Sequence, residues 1–297
     1  MNLNKLFTAT NPSVVCFINK LEISSPPVGR VPLFPKIVGT GFFIHSDGIA
    51  VTNRHVIEIF SQLPLHPKTK EIPIGAILFL PGPDHKSWKM LNLPVLSWHG
   101  LTQFTSSERW YGEQVPDIGF VQVGVKDVMP LKLAHEDYYL QIGMDIATIG
   151  YPMGRLPLTV LGALHQASPF IRHGIVSSVF PFPHPKPHGF TIDIMQQGGS
   201  SGSPILETEN GTVVGMMKSS VLDVDEAHGQ MVSVAFAHNT NISIAESAHI
   251  IHTAFEQFCE IKMDVSNLET LAEFRVKLPA DFIDGDLAWD SWTEHVE

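Results

Sequence analysis

Gly198-Gly199-Ser200-Ser201-Gly202-Ser203-Pro204 is the stretch whose reading decides this chain. A serine set among glycines sits where a backbone can bend around a reacting carbonyl, so Ser201 is nominated as a nucleophile. Glycine at 199 tolerates backbone angles closed to other residues, and the N–H groups of Gly199 and Ser201 are expected to converge as an oxyanion hole. Pro204 and Ile205 then resume an extended chain.

A serine hydroxyl is a poor nucleophile at neutral pH. The nomination therefore demands a histidine base and a carboxylate to orient it, both free to be distant in sequence. Two upstream segments meet that demand. Gly39-Thr40-Gly41-Phe42-Phe43-Ile44, a turn at Ser46-Asp47-Gly48 and Ile49-Ala50-Val51-Thr52-Asn53-Arg54-His55-Val56 read as a β-hairpin ending in a histidine. Val115-Pro116-Asp117-Ile118-Gly119-Phe120-Val121-Gln122-Val123 sets an aspartate at the mouth of an apolar strand. His45 precedes the turn, which puts it at the hairpin's far end. A nucleophile elbow of the α/β-hydrolase kind requires Gly-x-Ser-x-Gly, but Ser203 occupies the last glycine place and no helices alternate with the strands.

The order His55, Asp117, Ser201 and the segments around them resemble the trypsin-like serine peptidases, most closely the HtrA-like branch. Further segments fall in the family's order: Val14-Val15-Cys16-Phe17-Ile18, Ile149-Gly150-Tyr151-Pro152, Gly174-Ile175-Val176-Ser177, Asp193 and Val234-Ala235-Phe236-Ala237. The resemblance implies an all-β chymotrypsin-type fold of two six-stranded antiparallel β-barrels with the active cleft between them. His55 and Asp117 would lie on the first barrel and Ser201 on the second. It further implies that His55 takes the Ser201 proton as it attacks a peptide carbonyl, while Asp117 holds the imidazole tautomer. The substrate is then a polypeptide, and no cofactor is expected. A trypsin-like module that binds peptides or partners without catalysis is the alternative, and the complete set of three residues argues against it.

In that family the residue six before the serine lies at the base of the primary specificity pocket, and here it is Met195. The rim strand would be Gly215-Met216-Met217-Lys218-Ser219-Ser220, which brings Met217, Lys218 and Ser219 to the substrate. Two methionines suggest an apolar, adaptable pocket and cleavage after small or medium apolar residues. Lys218 dissents, because a lysine reaching inward would admit an acid. Ser200 stands where digestive relatives carry an aspartate for a newly cut amino terminus, so that route of activation is not expected.

Short runs rich in Val, Ile and Phe, broken by Gly, Pro and Asn, extend from about residue 10 to 245 and are themselves an all-β signature. Asn210-Gly211 is a strong hairpin turn. We divide the chain into a first barrel over 1–130, a second over 131–243, and C-terminal helices with an acidic tail over 244–297. Leu63–Ile72 and Pro81–Gly112, the latter with Trp88, Trp98 and Trp110, read as long surface loops. Phe180–Gly189 reads as a proline-stiffened loop tending to polyproline II, and His184 and His188 without Cys or carboxylate partners do not make a metal site. Ile244, Ala248, Ile251, Phe255 and Phe258 share a helix face expected to dock on the second barrel. Ser266-Asn267-Leu268-Glu269 has capping-box spacing for a second helix through about Arg275. Too few residues remain for a PDZ-like domain to follow.

The chain has 297 residues, 44% of them apolar, which supplies ordinary cores and excludes disorder throughout. A net charge of −11 without a Lys/Arg cluster argues against nucleic acid as a partner. No stretch has the length of an apolar membrane span, and no signal peptide or anchor is read at the start. Cys16 and Cys259 do not make a disulfide framework, so a cytoplasmic location is expected. Asp281, Asp284, Asp286, Asp290, Glu294 and Glu297 give an acidic tail interleaved with Trp289 and Trp292. It is read as a solvated terminus, with docking of a protein partner as the alternative.

Overall fold

In the computed structural model, which describes residues 1–24, 34–65, 70–81, 88–106, 115–152, 168–228, 233–258 and 265–277, the first long strand shows how the core is organised. β1 (Val14–Ser24) opens on an unbroken apolar run because both of its faces are covered. Val15 and Phe17 enter one core with Phe43, Ala50, Leu78 and Val121. Val14, Cys16 and Ile18, pointing the opposite way, join another core with Phe42, Phe120, Tyr151, Leu206 and Met216. Side chains alternate across a strand, so one run feeds the interior of a barrel and the seam behind it.

That seam lies between two closed six-stranded antiparallel barrels. The first contains β1, β2 (Phe34–His45), β3 (Ile49–Thr52), β4 (Ile74–Pro81), β5 (Trp88–Gly100) and β6 (Gly119–Val123), in the order β1-β2-β3-β6-β5-β4. The second contains β7 (Asp145–Gly150), β8 (Phe170–Phe180), β9 (Gly189–Ile192), β10 (Pro204–Glu207), β11 (Val213–His228) and β12 (Ser233–Ser247), in the order β10-β11-β12-β9-β8-β7. Each barrel closes where its end strands pair, β1 with β4 and β7 with β10. Ile146, Val176, Phe190, Ile192, Ile205 and Val214 fill the second barrel. The segment between the barrels is stitched to both, Leu131 N–H donating to Phe43 C=O and Ala134 N–H to Val213 C=O, each at 2.8 Å. The all-β, two-barrel expectation is borne out.

Several local expectations are corrected. Within 81–112, residues 88–100 are the barrel strand β5 and not a loop; Trp98 packs on the first core and donates from its indole to Ser61 Oγ at 3.0 Å, while Trp88 sits edge-on to Phe7 of helix α1 (Leu3–Thr10). Trp110 lies outside the described residues. Its neighbours hid the strand because Pro94 and the flanking turn residues read as loop. Pro181–His188 is turn and bend, with cis peptide bonds before Pro181 and Pro183, and not a polyproline II run. Ile244 belongs to β12, paired with Thr191, so the helix α3 starts only at Ala248 and runs to Phe258. α3 also reaches beyond the second barrel: Phe255 and Phe258 lie 5.6 and 4.7 Å from the ring of Phe120 in the first. Cys16 is buried in β1, whereas Cys259 and the acidic tail lie outside the described residues.

Helix α4 (Leu271–Lys277) is capped by Thr270 and Glu273, not by Ser266 and Glu269. Glu273 N–H donates to Thr270 Oγ1 at 3.1 Å, and Thr270 N–H donates to Glu273 Oε2 at 2.7 Å. Two sets with the same spacing compete, and tertiary contact chooses between them. Lys126 N–H donates to Glu269 C=O and Leu271 N–H to Lys126 C=O, which holds the chain extended through Thr270 and seats Leu271 and Phe274 on the first core. Thr270→Ala is expected to lower the local stability of α4 by about 1 kcal/mol. Amide hydrogen exchange over 271–277 should then quicken while the barrel strands keep their protection; unchanged exchange in α4 would refute the cap.

Candidate active site

His55 is the second residue of helix α2 (Arg54–Gln62), whose first N–H groups have no partner inside the helix. The carboxylate of Asp117 supplies one. Its Oδ1 accepts from His55 N–H at 3.0 Å, and its Oδ2 lies 2.7 Å from His55 Nδ1. One side chain thus caps the helix and holds the imidazole, and the positive end of the helix favours the negative charge. Asn53, at the cap position but with no side-chain cap bond of its own, donates from Nδ2 to Asp117 C=O at 3.0 Å. The backbone of Asp117 is therefore fixed as firmly as its carboxylate. Asp117 is buried and His55 is partly open to solvent.

Burial alone pushes the Asp117 carboxyl upward, yet it rests below the ordinary carboxylate value. The hydrogen bond and charge of His55, its backbone N–H and the charge of Lys218 together outweigh desolvation. A carboxyl depressed in the folded state stabilises the fold above its unfolded value of about 3.9 and loses that contribution as pH falls through its folded value. The stability gap between wild type and Asp117→Asn should therefore be full at neutral pH and narrow only below about pH 4. Urea denaturation over a pH series measures this; a gap that is independent of pH down to acid unfolding would contradict it.

Ser201 comes from the second barrel, in the turn before β10, and that turn is bonded to the first barrel. Thr40 N–H donates to Ser201 C=O at 2.8 Å, and Thr40 Oγ1 donates to Gly199 C=O at 2.7 Å. Thr52, three residues before His55, donates from Oγ1 to Thr40 C=O at 2.6 Å. Gly199 and Gly202 have φ of +93° and +85°, the left-handed region that glycine enters without penalty. With the Gly199 carbonyl turned to Thr40 and Ser200 N–H donating to Gln197 C=O at 3.0 Å, no backbone carbonyl of the described residues takes the N–H of Gly199 or Ser201. A Cβ at position 202 would stand 2.0 Å from Thr40 O and 2.4 Å from Thr52 Oγ1. Gly202→Ala is accordingly expected to cost about 2 kcal/mol or more and to displace the turn. A Tm within one degree of wild type would show that the turn yields.

The hydroxyl of Ser201 accepts from Gln196 Nε2 at 2.9 Å, and that amide also donates to Lys218 C=O at 3.2 Å. Among the described residues no hydrogen bond joins Ser201 to His55. Met195 is half-buried, its carbonyl taking a bond from Arg172 Nη1, while Arg172 Nη2 donates to Gln197 Oε1 at 3.0 Å. Met217 lies closed off in the second-barrel core; its N–H donates to Ser203 C=O and its C=O accepts from Gly202 N–H. Ser219 pairs with Ile244 and is half-buried. The ammonium of Lys218 is paired, its Nζ 3.0 Å from Glu246 Oε1. Gln196, Arg172 and Glu246 escaped the sequence reading; only the nearness of Gln196 to Ser201 in sequence could have drawn notice. The rings of His184 and His188 are 6.0 Å apart, and the metal-compatible group among the described residues is instead Glu136, His252 and Glu256.

The family model of the trypsin-like peptidase domain matches residues 39–216. The chain belongs to the trypsin-like serine peptidases. It is thus a hydrolase of that class. Among solved structures it is similar to the HtrA-type protease AlgW with a decapeptide, at 12% identity and a TM-score of 0.52, covering 88% of this chain and 68% of that one. A variant of that protease, also with a decapeptide, matches at the same identity and TM-score over 88% and 67%. At this identity the likeness speaks for the fold. No match was found among curated proteins.

Proposed function

We propose that this peptidase is an endopeptidase of protein substrates, related to the HtrA-like branch, that works through His55, Asp117 and Ser201 and an acyl-enzyme intermediate. The observation that carries the reading is the 2.7 Å contact of Asp117 Oδ2 with His55 Nδ1, which fixes the tautomer and leaves Nε2 as the base. His55 Nε2 accepts the Ser201 proton as Oγ attacks the peptide carbonyl, and returns it to the leaving amine. The N–H groups of Gly199 and Ser201 receive the oxyanion. Water then repeats the sequence on the acyl-enzyme.

For the residue before the cut we assign small or medium apolar side chains. Met195, which we assign to that pocket, is half-buried, and the ammonium of Lys218 is paired with Glu246, which offsets the cation that would favour an acid. A fluorophosphonate should label the purified protein and not Ser201→Ala. In the same experiment His55→Ala and Asp117→Asn should cleave an unfolded protein more slowly by about a factor of 10⁴. Sequencing of the products should show apolar residues before the cut. Equal cleavage by wild type and Ser201→Ala would refute the assignment, and cuts mainly after Arg, Lys, Asp or Glu would refute the specificity.

A further inference from the structure

Glu246 on β12 is a buried carboxylate whose Oε1 takes two donors, Lys218 Nζ at 3.0 Å and the backbone N–H of Asp117 at 3.2 Å. Lys218 on the neighbouring β11 is itself mostly buried, its side chain 18% exposed. The two residues belong to the second barrel, whereas Asp117 stands at the entrance of β6 in the first. The pair thus crosses the seam to the one residue that holds His55. Stability is a weak reason for such a pair, since well-packed apolar side chains serve a core as well as a buried ion pair. Placement beside a carboxylate that must stay ionised is a stronger one.

We propose that Glu246 and Lys218 are positioning residues for the catalytic aspartate: Glu246 fixes the backbone of Asp117, and Lys218 supplies the positive charge that balances two neighbouring carboxylates. The inference rests on the triad reading above. Among the described residues, the charged and titratable groups facing Asp117 are His55 from α2, Lys218 from β11 and Glu246 from β12. With Lys218 present, the imidazolium of His55 meets one net negative charge across this cluster. Without it, the imidazolium meets two buried carboxylates with no cation to balance them, and an added negative charge nearby favours the protonated form of a base.

The test is a charge cycle read in the pH profile of kcat/KM. Lys218→Met should move the acid limb upward by about 0.5 to 1 pH unit, and Glu246→Gln should move it downward by a similar amount. The double variant, neutral and still offering an amide oxygen to Asp117 N–H, should return the limb close to wild type. A merely structural pair would lower activity or Tm and leave the limb in place, and that result overturns the proposal. Should Lys218→Met fail to fold, Glu246→Gln and the double variant decide it by the same two limbs. The proton between His55 Nδ1 and Asp117 gives a second readout by NMR: the pH at which its signal changes should shift in the same directions. That signal needs no turnover, so a folded wild type without proteolysis would refute the triad reading, while the pair would still be judged on the proton.

Discussion

Thr40 is the point at which the two barrels become one site. Its N–H and hydroxyl hold the carbonyls of Ser201 and Gly199, its carbonyl takes the hydroxyl of Thr52, and Tyr151 N–H donates back to its Oγ1 at 3.1 Å. Four hydrogen bonds on one buried residue leave the Ser201 turn a single register against the strand that leads to His55. Gly202 and Gly150 make the approach feasible, since a Cβ on Gly150 would stand 2.0 Å from Ser203 Oγ. Each of these buried polar groups is costly unless paired, so the pairing is all or nothing.

The apolar seam supplies the force that the hydrogen bonds direct. β1 and β2 give alternate residues to the first barrel and to the shared core, and β6 does the same with Val121 and Phe120, the latter beneath the rings of Phe255 and Phe258. Burial of this surface holds the barrels together without specifying where a carboxylate must sit. That precision comes from the orphan N–H of a short helix, which draws in Asp117, and from Asn53 and Glu246, which fix its backbone.

Much of this was legible in the sequence because the signals are local. Alternating apolar runs announced the strands, Asp47-Gly48 and Asn210-Gly211 the turns, and the glycines around Ser201 a bent backbone; Gly48 and Gly211 indeed have φ of +79° and +78°. The failures are of one kind. β5 reads as loop in the sequence because its strand partners, not its composition, make it a strand. Ile244 fitted a helix face and a strand equally well, and Thr191 across the ladder decided. Thr270 won over Ser266 as the cap because Lys126 holds the chain there.

The sequence by itself determined the all-β class and nominated residues whose chemistry suits hydrolysis, since periodicity, turn chemistry and residue type are properties of short stretches; the two-barrel plan was what the resemblance to the trypsin-like peptidases implied. Only the tertiary structure decided which groups face one another. It set Lys218 against Glu246, put Gln196 on the hydroxyl of Ser201 and closed Met217 into a core. A lysine's charge has no direction in a sequence. Its partner is chosen by the desolvation that burial imposes, and that burial exists only once both barrels have closed.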